Sequence, residues 1–123
     1  MDLKIRAEQK ALGFYVIYLD GSLDSASYHI LEQKTEELLK ANPKIIAMNM
    51  ERLSYISSAG IRVILKTRNA LKKSDGKLVF MKLQPQIKKV FEIINALPSM
   101  KVFSSIEELD DYLDAMQRKI TEG

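Results

Sequence analysis

Ser57 and Ser58 stand side by side in the run Leu53-Ser54-Tyr55-Ile56-Ser57-Ser58-Ala59-Gly60-Ile61-Arg62-Val63-Ile64-Leu65, between an apolar strand pattern and an amphipathic helix pattern. A serine at a helix start faces unpaired N–H groups and the positive end of the helix dipole. That setting suits a hydroxyl that becomes an anion, as on phosphorylation. It suits ordinary N-capping equally well, serine being a favoured cap. Two serines exceed what one cap requires, and Ala59 and Gly60 add little bulk beside them. The run therefore predicts an exposed, accessible hydroxyl, with Gly60 letting another backbone or a partner approach closely. Nucleophilic catalysis is the rival chemistry. Ser58-Ala59-Gly60 is half of a G-x-S-x-G elbow, but Ile56 stands where the first glycine belongs. A triad would have to use the one histidine, His29, with Asp24 or another carboxylate.

A second segment, Gly21-Ser22-Leu23-Asp24, reads as a strand-ending turn in which Asp24 or Ser25 caps a helix. Its functional reading places Asp24 at the same end of the sheet as Ser58, where it orients a partner or repels a phosphate. Other chemistries lack their residues. No cysteine is present, which excludes disulfides and thiolate sites, and one histidine does not make a zinc site. No glycine-rich phosphate loop occurs, so neither a metal nor another cofactor is expected. The net charge is only +3, with acidic and basic residues interspersed, and no nucleic-acid recognition motif accompanies it. No apolar run approaches the roughly 20 residues needed to span a bilayer. Met1 to Arg6 has no apolar core of a signal peptide, so a cytoplasmic protein with no membrane insertion is expected.

The elements that must position these residues follow from periodicity. Leu3 to Glu8 alternates apolar and charged residues, a period-2 strand. After a turn at Lys10 to Gly13, Phe14 to Leu19 is aromatic and β-branched, a second strand and the other arm of an antiparallel hairpin. Asp20 to Ser25 is predicted to break that strand. A first helix should run from about Ser27 to Ala41, with Leu31, Leu38 and Leu39 inward, stopped by Asn42-Pro43. Ile45 to Met50 reads as a central strand buried on both faces, followed by a connecting segment, Glu51 to Ser57.

The second helix is expected over Ser58 to Lys73. Ile61, Ile64, Leu65 and Leu71 form its inner face, and Arg62, Lys66, Arg68, Lys72 and Lys73 a basic outer face expected to meet water rather than an acidic partner or a membrane surface. Leu78 to Met81 is a core strand. Pro85 opens a third helix with Ile87, Val90, Phe91 and Ile94 on one stripe, ended by Leu97-Pro98. Val102-Phe103 reads as a short edge strand. Ser104 or Ser105 caps a last helix whose buried stripe is Ile106, Leu109, Leu113 and Met116, with fraying expected after Gln117. The order β-β-α-β-α-β-α-β-α predicts one α/β domain over residues 1–123, a mixed sheet with helices packed on it.

Three of these segments together resemble the STAS domain family, named for sulphate transporters and anti-sigma factor antagonists. Gly21-Ser22-Leu23-Asp24 is similar to the family's G-x-L-D loop. Leu53 to Ile61 is similar to its L-S-[FY]-[MI]-D-S-[SAT]-G-[LI] segment, and Pro85 with Val90-Phe91 and Leu97 to its third-helix pattern. The likeness runs from about Leu3 to Leu113. It implies a small α/β sandwich, a mixed sheet of four or five strands with helices chiefly on one side.

The resemblance also implies a role. Free-standing bacterial members are not enzymes. They bind an anti-sigma factor that is also a serine kinase, which releases the sigma factor and regulates transcription indirectly. The kinase phosphorylates the motif serine or threonine and so switches the antagonist off, and a PPM-type phosphatase reverses this. By this resemblance the phosphoacceptor falls on Ser58, with Ser57 the less favoured hydroxyl. The partner-binding surface comprises Asp24, Ser57, Ser58, Ala59, Gly60 and Arg62. One position departs: the family commonly has aspartate where this chain has Ser57, which removes a carboxylate that would repel a phosphate. The other role the resemblance allows is a STAS subunit of a lipid-transport or stress-signalling assembly that phosphorylation does not control.

Overall fold

The computed structural model describes residues 2–96 and 104–122. Strands β1 (Lys4–Ala11), β2 (Phe14–Leu23), β3 (Ile45–Ile56) and β4 (Lys77–Met81) form one sheet in the order β1-β2-β3-β4. Helices α1 (Tyr28–Leu39), α2 (Ser58–Lys73), α3 (Pro85–Ala96) and α4 (Ile106–Glu122) complete the described residues. The β1–β2 pair is antiparallel, a hairpin closed at Gly13 with φ +76. β2–β3 and β3–β4 are parallel, and each is connected by a helix, as a parallel crossover requires.

The mixed sheet and its helical cover agree with the architecture expected. Ile17, Leu19, Leu23, Ile46, Met48 and Met50 supply the sheet side of the core. Leu31, Ile61, Ile64, Leu71, Ile87, Val90, Leu109 and Leu113 supply the helical side. The opposite sheet face is open. Val79 and Met81 are exposed there, while their neighbours Leu78 and Phe80 pack into the core.

Several boundaries differ from those the sequence predicts. β3 is not covered by helices on both faces. Ala47 is buried on the open side because Val16 and Val79 flank it in register. β2 does not break at Asp20 but continues to Leu23 through register shifts. Gly21 takes φ +119 there, and a Cβ at this position would collide with the Asp2 carbonyl. β3 likewise runs through Glu51 to Ile56, because β2 extends alongside it and supplies backbone partners up to the pair Leu23 and Ile56. α4 stays helical to Glu122, past the point where fraying is expected. Leu97-Pro98 and the Val102-Phe103 strand lie outside the described residues.

β3 overshoots β4. The register with β4 ends at Asn49 and Met81, leaving Glu51 to Ile56 without β4 partners. Three glutamine side chains bond to the backbone there. Gln84 Nε2 donates to Glu51 O (2.7 Å) and Gln86 Nε2 to Ser54 O (3.0 Å). Gln117 of α4 bonds both backbone groups of Ile56: its Nε2 donates to the carbonyl (2.7 Å), and its Oε1 accepts from the N–H (3.0 Å).

Candidate functional site

The joint end of β2 and β3 brings the sequence candidates together. Ser57 N donates to Leu23 O at 2.9 Å, which ties the start of α2 to the start of the α1 connection. Asp24 follows Leu23 directly and therefore does lie at the same sheet end as Ser58. Its carboxylate is engaged locally: Oδ1 accepts from Ala26 N (2.9 Å) and Ser27 N (3.1 Å). The buried Ser27 hydroxyl donates to Ser22 O (2.7 Å) and accepts from Asp24 N (3.0 Å). Asp24, rather than Ser25, organises the entry to α1.

The serine pair departs from both readings of its local pattern. Ser57 is the N-cap residue of α2, yet its side chain makes no cap bond. Neither hydroxyl is exposed: Ser57 is 5% and Ser58 1% accessible. Both Oγ atoms are buried with no hydrogen-bond partner among the described residues. The expected accessible hydroxyl is thus a covered one. Gly60 is not open to a partner either. A Cβ there would meet Leu23 Cγ at 2.6 Å and Ile56 Cγ1 at 3.1 Å, so its small size lets α2 settle onto the core. Because the Oγ atoms have no partner, His29 touches neither serine and no triad forms. His29 is exposed, its ring edge-on to Tyr28.

The α2 cap comes from elsewhere in the chain. Asp110 of α4 accepts a hydrogen bond from Ser58 N at 2.9 Å. A carboxylate on the first N–H of a helix meets the positive end of its dipole. Tyr55, half-buried nearby, reports the local field. Burial, then the carboxylates of Asp114, Asp110 and Asp24, push its hydroxyl up to about 12, and the phenol donates to Asp114. One carboxylate, Asp110, thus acts on both Ser58 N and Tyr55. Position 57 lacks the motif's aspartate, but α4 places a carboxylate on the very next residue.

Asp110, Leu113, Asp114 and Gln117 share one stripe of α4 at helical spacing. The sequence signal was Gln117, a polar residue four positions after the buried Leu113; it is only 2% exposed. Arg62 is exposed, whereas Ala59 is buried at 5% accessible. With Tyr28, Glu32, Val63 and Lys66 they line a small groove between α1 and α2. Lys66 there bridges Glu32 (3.4 Å) and Glu36 (3.3 Å), whereas Arg62 has no ion-pair partner among the described residues. A broader concavity of about 830 Å³ lies on the open sheet face. Its Arg6, Lys10, Arg52 and Lys82 are paired with Glu8, Asp20 and Glu51. Among the described residues no cluster of candidate metal ligands occurs. No described helix is long and apolar enough to cross a membrane.

Comparison with known proteins places this geometry. The STAS domain profile matches residues 5–109. BtrV of Bordetella bronchiseptica, provisionally named an anti-sigma factor antagonist, is 34% identical over 95 residues, covering 77% of this chain and 82% of that protein. The anti-sigma-B factor antagonist of Staphylococcus aureus is 28% identical over 94 residues, covering 76% and 87%. Among solved structures, the anti-sigma factor antagonist SpoIIAA in its unphosphorylated form superposes with a TM-score of 0.63 at 26% identity, covering 73% of this chain and 83% of that one. The phosphorylated form of Bacillus SpoIIAA gives 0.64 at 25%, covering 74% and 83%. The extent of the profile match, the relatives' coverage and the sheet order agree that the chain belongs to the STAS domain family.

Proposed function

We propose that this chain is an anti-sigma factor antagonist, a regulatory binding protein of the cytoplasm and not an enzyme. In this reading it binds an anti-sigma factor that is also a serine kinase, and phosphorylation of Ser58 switches the binding off. The observation that carries the reading is the placement of the motif serine. Ser58 opens α2 at the joint end of two parallel strands, at the same sheet end as Asp24 and close in sequence to the exposed Arg62, which has no ion pair among the described residues. The names of the relatives, and a SpoIIAA structure in each phosphorylation state, support it.

A phosphate adds about −1.5 to −2 charges at this point. A docking surface fitted to a neutral hydroxyl would then have to bury an unmatched charge, which costs several kcal/mol or more. Loss of binding follows from local electrostatics. A PPM-type phosphatase would restore the hydroxyl.

The covered hydroxyl favours a second reading, a STAS subunit of a lipid-transport or stress-signalling assembly indifferent to charge at Ser58. Affinity capture from the source cells separates the two. Ser58→Ala should retain the anti-sigma factor and kinase as the unmodified chain does, and Ser58→Asp should lose it by at least about tenfold, the effect of roughly 1.4 kcal/mol. Equal retention by both variants would leave only the assembly reading.

A further inference from the structure

We propose that the open face of the sheet seats a helix from another protein, one whose apolar stripe is flanked by acidic residues. β2, β3 and β4 run parallel, and sheets of parallel strands are as a rule covered on both faces. The described helices cover one face only. On the other, Phe14, Val16, Ile45, Ala47, Val79 and Met81 form an apolar strip across the three strands, in register at Phe14 with Ile45 and along the row Val16, Ala47, Val79. Val79 and Met81 are 39% and 38% exposed. The strip spans two strand spacings, about 10 Å, which is about the width of one helix.

Shape, backbone and charge select the occupant. Phe14, Val16 and Met81 line the concavity of about 830 Å³, and Val16 is only 3% exposed, so the occupant is convex and a flat lipid surface does not reach the floor. The sheet ladders use the strand backbones, so an extended segment laid on this face would leave its own N–H and C=O groups bare, whereas a helix satisfies its own. Cations flank the strip on both sides. Lys4, Arg6 and Lys10 stand along β1, and Lys77 and Lys82 at the two ends of β4. Arg6 lies over the Tyr18 ring, 4.0 Å from its centroid, which holds the guanidinium at the edge of the strip. Arg6, Lys10, Arg52 and Lys82 share three carboxylates, Glu8, Asp20 and Glu51, while Lys4 and Lys77 have no ion pair among the described residues. Exposed pairs of this kind are weak, and they exchange readily for the carboxylates of an occupant. The surplus of positive charge favours an acidic helix and opposes a second copy of the same face.

The test uses the full chain and a blocked synthetic peptide of about 18 residues, long enough to be helical alone. The peptide carries leucine at i, i+3, i+4 and i+7 spacing with glutamate on both flanks. Its control has lysine in place of every glutamate. In amide-shift titrations the acidic peptide should move the resonances of β1 to β4 and leave those of α2 in place. The lysine peptide should bind at least about tenfold more weakly. Val79→Glu, at an exposed position clear of the core, should weaken the acidic peptide by about tenfold or more, because it sets a carboxylate in the apolar strip. Met81→Glu replaces it if Val79→Glu does not fold. Equal binding of the two peptides, binding of neither, or shifts that fall on the α1–α2 groove overturn the proposal. A dimer in sedimentation equilibrium that Val79→Glu abolishes gives the face to a second copy, and flotation with phosphatidylglycerol vesicles that Val79→Glu abolishes gives it to a membrane; each result overturns it as well. Ser58 takes no part, so the capture experiment on Ser58→Asp and this titration fail separately.

Discussion

The entrances to α1 and α2 use the same residue type in opposite ways. At α1, Ser27 and Asp24 bond to each other and to Ser22, Ala26 and neighbouring backbone, all within five residues. At α2, the two serine hydroxyls are buried and unpaired, and the cap on Ser58 N comes from Asp110, 52 residues away. The first helix start is self-sufficient. The second depends on a helix that has to be docked, so its local stability is tied to a distant contact.

The sharpest way to break the contrast is Ser27→Ala. It removes a buried hydroxyl that both donates and accepts, stranding Ser22 O and Asp24 N, and should lower unfolding stability by about 2–3 kcal/mol in denaturant titration. The matching change at the other entrance, Ser57→Ala or Ser58→Ala, removes a hydroxyl with nothing to lose. Stability should stay within about 1 kcal/mol of the unmodified chain, on the stabilising side, because an unsatisfied polar group leaves the interior. A loss at Ser58 equal to that at Ser27 would mean its hydroxyl has a partner after all, and the contrast would vanish.

The smallest effect concerns Tyr55. Its folded value near 12 lies above its ordinary 10.0, so in alkali the unfolded chain gives up the proton first. The stability this group contributes is intact below about pH 10 and is lost as pH rises through about 12. Tyr55→Phe should flatten that part of the stability profile. A profile identical to that of the unmodified chain would mean that burial and the neighbouring carboxylates do not raise Tyr55.

The contrast also explains what could be read from residues alone. α2 occupies Ser58–Lys73 as its periodicity indicates, and Ser105 caps α4 through Glu108 N at 3.0 Å, because both signals are local. The β1–β2 hairpin follows from alternation for the same reason. β3 was legible only to Met50. Beyond it, Glu51, Arg52 and Ser54 interrupt the apolar run, and the strand persists because β2 pairs with it. The motif placed Ser58 and Asp24 at one sheet end correctly, but not the depth of Ser58. Asp110 and Gln117 bond the backbones of Ser58 and Ile56 from 52 and 61 residues away, and no local pattern encodes such contacts.

The glutamine amides along the β3 overhang have a consequence for handling the chain. A fragment ending with α3 would keep every strand of the described sheet and the Gln84 and Gln86 contacts, yet it would leave the Ile56 N–H and C=O bare beside the apolar surface that Leu109 and Leu113 now cover. A bare strand end flanked by apolar surface is a template for pairing with another molecule. Shortening this domain from its C-terminal side therefore yields a self-associating species rather than a smaller soluble one, and a single side-chain amide on α4 marks the boundary between the two.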